Sequence, residues 1–276
     1  MFLSTGTMGS WMMKNSASVQ INIDMTEKKD GEQMAFIADS LQPLFSLLFA
    51  NSPFAENKLI KNNFRLKVWN NTDKKRCGNL MDHKINNFNR LLDSYIEYIL
   101  TVPTIFAFEN TSKIKSYNSS LGDWLLDQEF KGNLSTEHIL SALHQIFTHV
   151  RFKNVVEIRG GDRPPFGYEM APAAFWAGLL TTEKIRTSVL DTVSSWTIKE
   201  KIKMNKDAEL LRLSASGPEG KTLFHWIEII SDYALKGLEE RSLSFGFPSE
   251  KKLLEPFLEK ALSKVWVFRA QKAFKR

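Results

Sequence analysis

Apolar and polar residues alternate along two short segments of the chain, residues 18–24 (SVQINID) and 151–162 (RFKNVVEIRGGD). Successive side chains of a strand point to opposite faces. Glu157 and Arg159 therefore share one face of the second segment, and Ile158 lies on the other. The polar row of the first segment is Ser18, Gln20, Asn22 and Asp24. The pattern predicts two strands, each with a polar face and an apolar face.

Helical periodicity dominates the rest of the chain. Further strands are predicted near residues 64–69, 104–108 and 150–159, and helices near 31–50 and 87–100. Pro43 lies inside the first helical pattern and predicts a kink or a new helix start there. After residue 171 the pattern is helical almost throughout. Two apolar stripes mark these later helices: Leu223, Trp226, Ile227, Ile230, Ala234 and Leu238, then Leu254, Phe257, Leu258, Ala261, Val265 and Phe268. Such stripes are typical of core packing, so we interpret this part as a scaffold covering the apolar side of the sheet.

Length and composition indicate a globular protein with a substantial core. The chain has 276 residues, of which 43% are hydrophobic and 25% charged, enough for one large domain or two small ones. Its longest apolar runs fall far short of the roughly 20 residues of a membrane helix, so no membrane association is expected. The N-terminal residues lack the basic and apolar regions of a secretory signal. We therefore predict a cytosolic location.

The net charge is +6, but the basic residues do not form a nucleic-acid-binding stripe. They are scattered among acidic residues, and the densest group, residues 199–206, is typical of a solvated helix end, so no nucleic-acid partner is expected. A positive potential suits a pocket for small anionic ligands. Cys77 is the only cysteine, which excludes an internal disulfide and a zinc site built from several thiolates.

The polar faces of the two strands allow two interpretations. By pattern alone we favour a sheet with its apolar face on helices and its polar face in water. In the other interpretation the polar face lines a pocket, where Glu157 coordinates a hard cation and Arg159 contacts phosphate oxygens. Gly160 and Gly161 follow this pair and would permit close approach of the backbone to a ligand. The residues alone leave both interpretations open.

Several further segments are informative through their order along the chain. They are Met12-Met13 followed by SVQINID; LQPLFSLLFANSPF from Leu41 to Phe54; Arg65, Trp69, Thr72-Asp73, Arg76 and Gly78; Val102-Pro103; IFTHVRFK leading into VEIRGGD; AFWAGLL from Ala174 to Leu180; and Gly237-Leu238-Glu239. In this order they resemble the plant-type and proteobacterial glutamate–cysteine ligases, which condense glutamate with cysteine using ATP and magnesium. Collinear matches over most of a chain indicate common descent, whereas activity has to be argued from the site.

The resemblance implies an α+β fold with a partial antiparallel sheet, like the catalytic fold of glutamine synthetase. Residues 1–276 would form one partial catalytic domain, with a sheet-bearing part at 1–170 and a helical scaffold at 171–276. The implied small-molecule substrates are glutamate, cysteine and ATP, and the implied cofactor is Mg²⁺. The product would be γ-glutamylcysteine, made through an acyl phosphate as the first step of glutathione biosynthesis.

The resemblance also assigns site residues. Glu157 would be the metal ligand, and Arg159 a contact to nucleotide phosphate or to the transition state. Gln20 and Asn22 would line the metal and substrate face, and Arg65 would hold a substrate carboxylate. Asp162 is expected to order the turn after the strand instead of binding metal. Glu109 stands where relatives often have arginine, which would repel an anionic ligand if it faced the pocket.

Related ligases extend well upstream of the segment that matches Met1 to Met13. The chain is therefore expected to be a C-terminal portion, whose activity alone is open. Three explanations remain: a split enzyme with a separately encoded N-terminal half, a remnant of a gene, or a reading frame begun too late. Two functional alternatives also remain, a carboxylate–amine ligase with another amine acceptor and a non-catalytic binding chain that kept the fold.

Overall fold

The computed structural model describes residues 5–108 and 114–263 and has a mixed α+β architecture. The helices of these residues are α1 (Gly9–Asn15), α2 (Lys28–Leu48), α3 (Phe64–Asn70), α4 (Leu91–Thr101), α5 (Leu121–Phe130), α6 (Thr136–His144), α7 (Ala171–Leu180), α8 (Glu183–Ser194), α9 (Ile198–Glu209), α10 (Leu223–Phe245) and α11 (Glu255–Leu262). The strands are β1 (Ile21–Asp24), β2 (Phe54–Ala55), β3 (Lys58–Leu59), β4 (Cys77–Gly78), β5 (Ala107–Phe108), β6 (Ile114–Lys115), β7 (Phe147–Thr148), β8 (Val150–Phe152) and β9 (Val155–Ile158). Short 3₁₀ turns lie at Leu80–His83, Phe88–Arg90, Pro218–Gly220 and Glu250–Leu253.

The predicted α+β class is confirmed, and the central element is an antiparallel sheet in the order β1-β9-β8. The remaining strand pairs are β2–β3 and β5–β6, which are antiparallel, and β4–β7, which is parallel. The continuous strand predicted at 150–159 is wrong, because the chain reverses between β8 and β9. The N–H of Lys153 donates to the carbonyl oxygen of Val155 at 3.0 Å across this turn. Residues 104–108 contribute only the two-residue strand β5.

Helix α2 covers the apolar face of the sheet and contacts both β8 and β9. Pro43 does not start a new helix, since α2 continues through it. Proline removes the N–H that would bond the carbonyl four residues earlier. That carbonyl, on Asp39, accepts a hydrogen bond from Asn79 Nδ2 at 3.0 Å instead. A tertiary contact thus replaces the missing bond of the helix, which the sequence pattern could not reveal.

The strand predicted at residues 64–69 is wrong, because these residues form helix α3. Asn63 caps the helix, since its Oδ1 accepts a hydrogen bond from the N–H of Leu66 at 3.2 Å. The side-chain amide of Asn63 also donates to the carbonyl oxygen of Ser46 at 2.9 Å, which ties the cap to α2. Seven residues are too few for hydrophobic periodicity to distinguish a helix from a strand, so the N-terminal cap determines that these residues are helical.

The helical part after residue 171 packs as its first stripe predicts, since all six residues from Leu223 to Leu238 named for that stripe are buried. Helix α7 contacts β1, whereas α10 packs mainly on α7. The scaffold therefore contacts the sheet directly through α7, and its helices α8, α9 and α10 pack on α2, which itself covers the sheet. In the second stripe Leu254, Phe257 and Leu258 are buried, while Val265 and Phe268 lie outside the described residues. No helix within 5–108 and 114–263 is long and apolar enough to cross a membrane.

Helices α7 and α10 cross at two glycines, Gly178 and Gly237. A Cβ built on Gly237 would lie 1.7 Å from the carbonyl oxygen of Gly178. We therefore expect Gly237→Ala to lower the free energy of unfolding by about 3 kcal/mol, because the helices must separate. Urea unfolding followed by circular dichroism measures this loss. Lys236→Ala on the exposed face of α10 is the matched control, and equal stability of the two variants would contradict close packing at this crossing.

Candidate active site

The polar face of the central sheet carries a row of three side chains, one from each strand. Asn22 on β1 pairs with Glu157 on β9, and Glu157 pairs with Arg151 on β8. Directly paired residues of an antiparallel sheet point to the same face. Ile158 pairs with Ile21 on the opposite, apolar face. The alternation read from the sequence therefore holds in β1 and β9.

Glu157 forms the centre of a buried ion network. Its side chain accepts a short hydrogen bond from Arg151 Nε and lies 3.3 Å from both Lys153 Nζ and Arg159 Nη1. Only 3% of Glu157 is exposed. Burial raises the pKa of this carboxyl, but the hydrogen bond and charge of Arg151, with the charges of Arg159 and Lys153, lower it overall. Glu157 is therefore a carboxylate at neutral pH, with its charge more than balanced by three cations.

Arg159 lies beside Glu157 on the same face, as the alternation predicts. Its Nη1 also donates to Gln20 Oε1 at 3.3 Å. Its guanidinium carbon lies 5.9 Å from the centre of the Trp69 ring and 6.0 Å from that of Phe147. The buried Nε of Arg159 has no hydrogen-bond partner among the described residues. Because a buried donor without a partner is costly, this atom is available to an incoming acceptor.

Arg65 reaches the same place from helix α3. Its Nη2 donates to the carbonyl oxygen of Arg159 at 3.1 Å, and its guanidinium carbon lies 5.4 Å from the centre of the Trp69 ring. Burial lowers the pKa of Arg65 to about 10, while Asp162 opposes the shift and Arg159 adds to it. Arg65 is therefore still protonated at neutral pH. Its buried Nε, like that of Arg159, has no partner within the described part of the chain.

His149 lies close enough to Arg65 and Arg159 for their charges to act on it, although the sequence pattern gave it no role. Burial, with the charges of Arg65 and Arg159, lowers the pKa of His149 to about 3. The imidazole is therefore neutral at physiological pH. Its Nε2 is buried and finds no partner in the described residues. The Nε2 of a neutral ring in this position can form one hydrogen bond with a ligand, but the ring cannot supply a positive charge.

The remaining predicted residues occupy the open side of the sheet and the turn after it. Gln20 and Asn22 are exposed on the polar face, so bulk water reaches the face at the β1 edge. Asp162 Oδ2 accepts the N–H of Asn51 at 2.9 Å, and Oδ1 accepts the N–H of Arg163 at 3.1 Å. Both carboxylate oxygens thus order the turn, in keeping with the role expected of Asp162.

The two glycines after β9 make room for helix α2, and the close approach expected for a ligand is taken by that helix. A Cβ on Gly160 would lie 1.9 Å from Gln42 Nε2, and one on Gly161 would lie 2.5 Å from Phe45 Cε1. Gln42 Nε2 also donates to the carbonyl oxygen of Gly160 at 3.1 Å. These glycines therefore fix the end of β9 against the core.

Sequence reasoning missed Arg151 and Lys153 as partners of Glu157. The turn between β8 and β9 places Arg151 opposite Glu157, and the dipeptide Lys153-Asn154 was the available signal for it. Cys77 is buried, and burial raises the pKa of its thiol to about 12. Its thiol is thus protonated and passive. Glu109 lies outside the described residues.

The donor set on this face suits anions better than it suits a cage for a metal ion. Within residues 5–108 and 114–263 no group of three or more histidine, cysteine or acidic side chains could hold a metal. Magnesium, however, is often bound by one or two carboxylates while substrate phosphates supply other oxygens. Glu157 fits as one such carboxylate, provided that its cationic partners turn toward the phosphates. Gln20 and Asn22 offer amide oxygens beside it.

Comparison with known sequences places this chain in a class of amino-acid ligases. The sequence model of the family described as "Glutamate-cysteine ligase family 2 (GCS2)" matches residues 1–228. The chain is 33% identical to the chloroplastic glutamate–cysteine ligase of Brassica juncea over 242 residues, which cover 86% of this chain and 46% of that protein. The chloroplastic enzyme of Arabidopsis thaliana is 32% identical over 245 residues, covering 86% and 45%. This chain belongs to glutamate–cysteine ligase family 2.

The comparisons also bear on extent and location. The chain spans about half the length of the curated relatives it matches, 46% for the Brassica juncea protein. The relatives from Brassica juncea, Oryza sativa and Arabidopsis thaliana are named chloroplastic. That finding overturns the cytosolic location predicted from composition and the N-terminal residues, neither of which reports a destination within the cell.

Proposed function

We propose that this chain supplies part of a catalytic unit that joins L-glutamate, through its side-chain carboxylate, to L-cysteine at the expense of ATP. The product is γ-glutamylcysteine, the first intermediate of glutathione biosynthesis. Family membership supports this reaction class. The observation that carries the proposal is the cluster around Trp69, where Arg65 and Arg159 each keep a buried, unpaired Nε. The sheet would belong to a partial catalytic domain like that of glutamine synthetase.

The proposed reaction brings two anions together. An oxygen of the glutamate side chain attacks the terminal phosphorus of ATP, and ADP leaves. The amine of cysteine then attacks the acyl carbon, phosphate leaves, and the nitrogen loses its proton. Arg159 would stabilise charge on the transferred phosphoryl group, and Arg65 would hold a substrate carboxylate. Bound magnesium, with Glu157 as a ligand and Gln20 and Asn22 beside it, would offset further phosphate charge.

The charged side chains around Trp69 and Glu157 have the excess of positive charge that this role requires. Among the described residues, Arg65, Arg151, Lys153 and Arg159 bring four positive charges to this place, and Glu157 and Asp162 bring two negative charges. Two positive charges therefore remain in excess. In a partly buried site such an excess favours binding of phosphate or carboxylate groups. Further carboxylates for magnesium would come from the part of its relatives' length that this chain does not span.

One observation favours a second candidate, a non-catalytic chain that kept the fold. The Glu157 carboxylate is already held by Arg151, Lys153 and Arg159. If these contacts persist in the presence of nucleotide, Glu157 cannot coordinate magnesium. The chain would then bind anions, or a partner polypeptide, without catalysing the ligation.

The two candidates separate in an assay for ADP release that depends on both glutamate and cysteine. We expect release when the purified chain is combined with a second polypeptide that supplies the part of its relatives' length that it does not span. Arg159→Met should lower turnover about 10²- to 10³-fold, as expected for loss of a group that stabilises transition-state charge. Arg90→Met, which removes an exposed arginine, is the control and should leave turnover unchanged. Absence of release with and without the second polypeptide, from a chain folded by circular dichroism, would favour the non-catalytic candidate.

A further inference from the structure

A small cavity between helices α2 and α9 has no role in the proposed ligation. Its volume is about 110 Å³, and none of the residues assigned to the candidate active site lines it. Helix α2 contributes Phe36 and Ser40 to its wall, and helix α9 contributes Lys201. Much of the remaining wall is apolar, with Leu80, Ile85 and Leu91. A cavity of about 150 Å³ with an apolar lining holds benzene, so this one has room for a group of a few carbon atoms.

The amino group of Lys201 is held in a fixed position at this cavity. Only 8% of Lys201 is exposed. Its Nζ donates a hydrogen bond to Ser40 Oγ at 2.8 Å and lies 4.2 Å from the centre of the Phe36 ring. Both contacts are to helix α2, so the nitrogen is ordered against that helix beside the open space.

Burial also changes the protonation of this amine. It lowers the pKa of Lys201 to about 8, although the charge of Asp39 opposes the shift. At pH 7 roughly one in ten Lys201 amines is therefore neutral, compared with roughly one in three thousand for a lysine of ordinary pKa. Only the neutral amine has a lone pair with which to attack an electrophile. Lys201 thus combines a fixed position with nucleophilic character.

Two further groups at the cavity suit a carbonyl compound. Trp196 lines the cavity and is 4% exposed, and its buried Nε1 has no hydrogen-bond partner among the residues that the structure describes. A carbonyl oxygen in the cavity could accept this N–H. Asp39 also lines the cavity, and burial raises the pKa of its carboxyl to about 7 against the opposing hydrogen bonds from Leu80 and Met81. A carboxyl that is partly protonated near neutral pH can act as a general acid.

We propose that Lys201 is a reversible covalent site for a short aliphatic aldehyde. The amine nitrogen attacks the carbonyl carbon, and one proton moves from nitrogen to oxygen to give a carbinolamine. The hydroxyl group then takes a proton from Asp39 and leaves as water, while a C=N bond forms. The nitrogen returns its remaining proton to the Asp39 carboxylate. The net products are an imine and water, and the site does not depend on the proposed ligation.

Reductive trapping of the full chain at pH 7 tests this assignment. Propanal is added with cyanoborohydride, which reduces an imine to a stable secondary amine, and peptide mass spectrometry identifies each propylated lysine. We expect Lys201 to be propylated about tenfold faster than Lys199, an exposed lysine of the same helix, because Lys201 has the larger neutral fraction. Equal or slower propylation of Lys201 would overturn the proposal.

The size of the aldehyde separates a cavity site from a lysine that is merely reactive. 1-Naphthaldehyde has two fused rings and exceeds the cavity, so it should label Lys199 but not Lys201. Ser194 is exposed and lines the cavity, so Ser194→Trp should obstruct the opening and reduce propylation of Lys201 to the level of Lys199. Ser195→Trp, at the exposed neighbouring position, is the control and should leave propylation unchanged.

Two results would overturn the cavity as the site of reaction. One is labelling of Lys201 by 1-naphthaldehyde in the unmodified chain, and the other is full propylation of Lys201 in Ser194→Trp. The comparison of the two aldehydes uses the unmodified chain, so it remains decisive even if the Ser194 variant does not fold.

Discussion

Glu157→Gln is expected to lower the free energy of unfolding by about 3 kcal/mol, as removal of one partner from a buried ion pair does. It should also abolish turnover in a reconstituted ligase. The substitution removes a charge at nearly constant shape, so the sequence alone predicts little loss of folding. The structure changes that expectation, because Arg151, Lys153 and Arg159 all depend on this carboxylate for their charge balance. Urea unfolding of the purified chain measures the effect.

The pH dependence of stability provides an independent check on the ion network around Glu157. Its pKa in the folded chain is lowered overall, so its contribution is present above the ordinary pKa of a glutamate and is lost as pH falls through the lowered value. The stability difference between the unmodified chain and Glu157→Gln should shrink over that range. Glu169→Gln, at an exposed ion pair with Arg163, is the control and should cost less than about 1 kcal/mol. Unchanged stability of Glu157→Gln at neutral pH would contradict the network.

Arg76→Met is expected to lower the free energy of unfolding by about 4 kcal/mol, because it leaves a buried carboxylate without its partner. The side chain of Arg76 is fully buried. Its Nε donates to Asp73 Oδ2 at 2.7 Å, its Nη1 to the carbonyl oxygen of Gln145 at 3.1 Å, and its Nη2 to that of Pro103 at 2.7 Å. Arg76 therefore joins three separate segments of the chain, and methionine can replace its length but none of its donors.

Chemical denaturation compared between Arg76→Met and Arg163→Met tests this role. Arg163 forms an exposed ion pair with Glu169 at 3.0 Å, and its loss should cost no more than about 1 kcal/mol. A similar small loss for Arg76→Met would mean that water replaces its three hydrogen bonds. Arg76→Lys should recover only part of the stability, because a single ammonium group cannot match the fork of a guanidinium.

Much of the local structure follows from the sequence. The alternation in residues 155–159 predicts that Glu157 and Arg159 share one face. The pairing of Glu157 with Asn22 and the 3.3 Å contact between Arg159 Nη1 and the Glu157 carboxylate confirm this placement. The stripe from Leu223 to Leu238 predicts a helix with one buried side, and each of its six residues is buried. Both predictions succeed because burial of one face requires an apolar residue about once in every turn of a helix, or at every second position of a strand.

Other features depended on contacts that the pattern does not contain. Apolar and polar residues alternate along 64–69 as they do in a strand. These residues nevertheless form a helix, which Asn63 caps while its side-chain amide donates to the carbonyl oxygen of Ser46. Helix α2 continues past Pro43 because Asn79, distant in sequence, satisfies the freed carbonyl of Asp39. For α2 the deciding hydrogen bond comes from the side chain of another segment. For α3 it comes from the adjacent Asn63, whose side chain is held by its contact with α2.

The sequence by itself determined which family this chain belongs to, that it is an α+β protein, and that Glu157 and Arg159 share a face. The tertiary structure alone decided which charged groups surround that face. Arg65 Nη2 donates to the carbonyl oxygen of Arg159 across 94 positions of sequence. Side-chain direction is a local property of a strand, whereas desolvation and charge balance depend on every group that the fold brings near. Only the folded chain therefore brings these cations together beside one carboxylate.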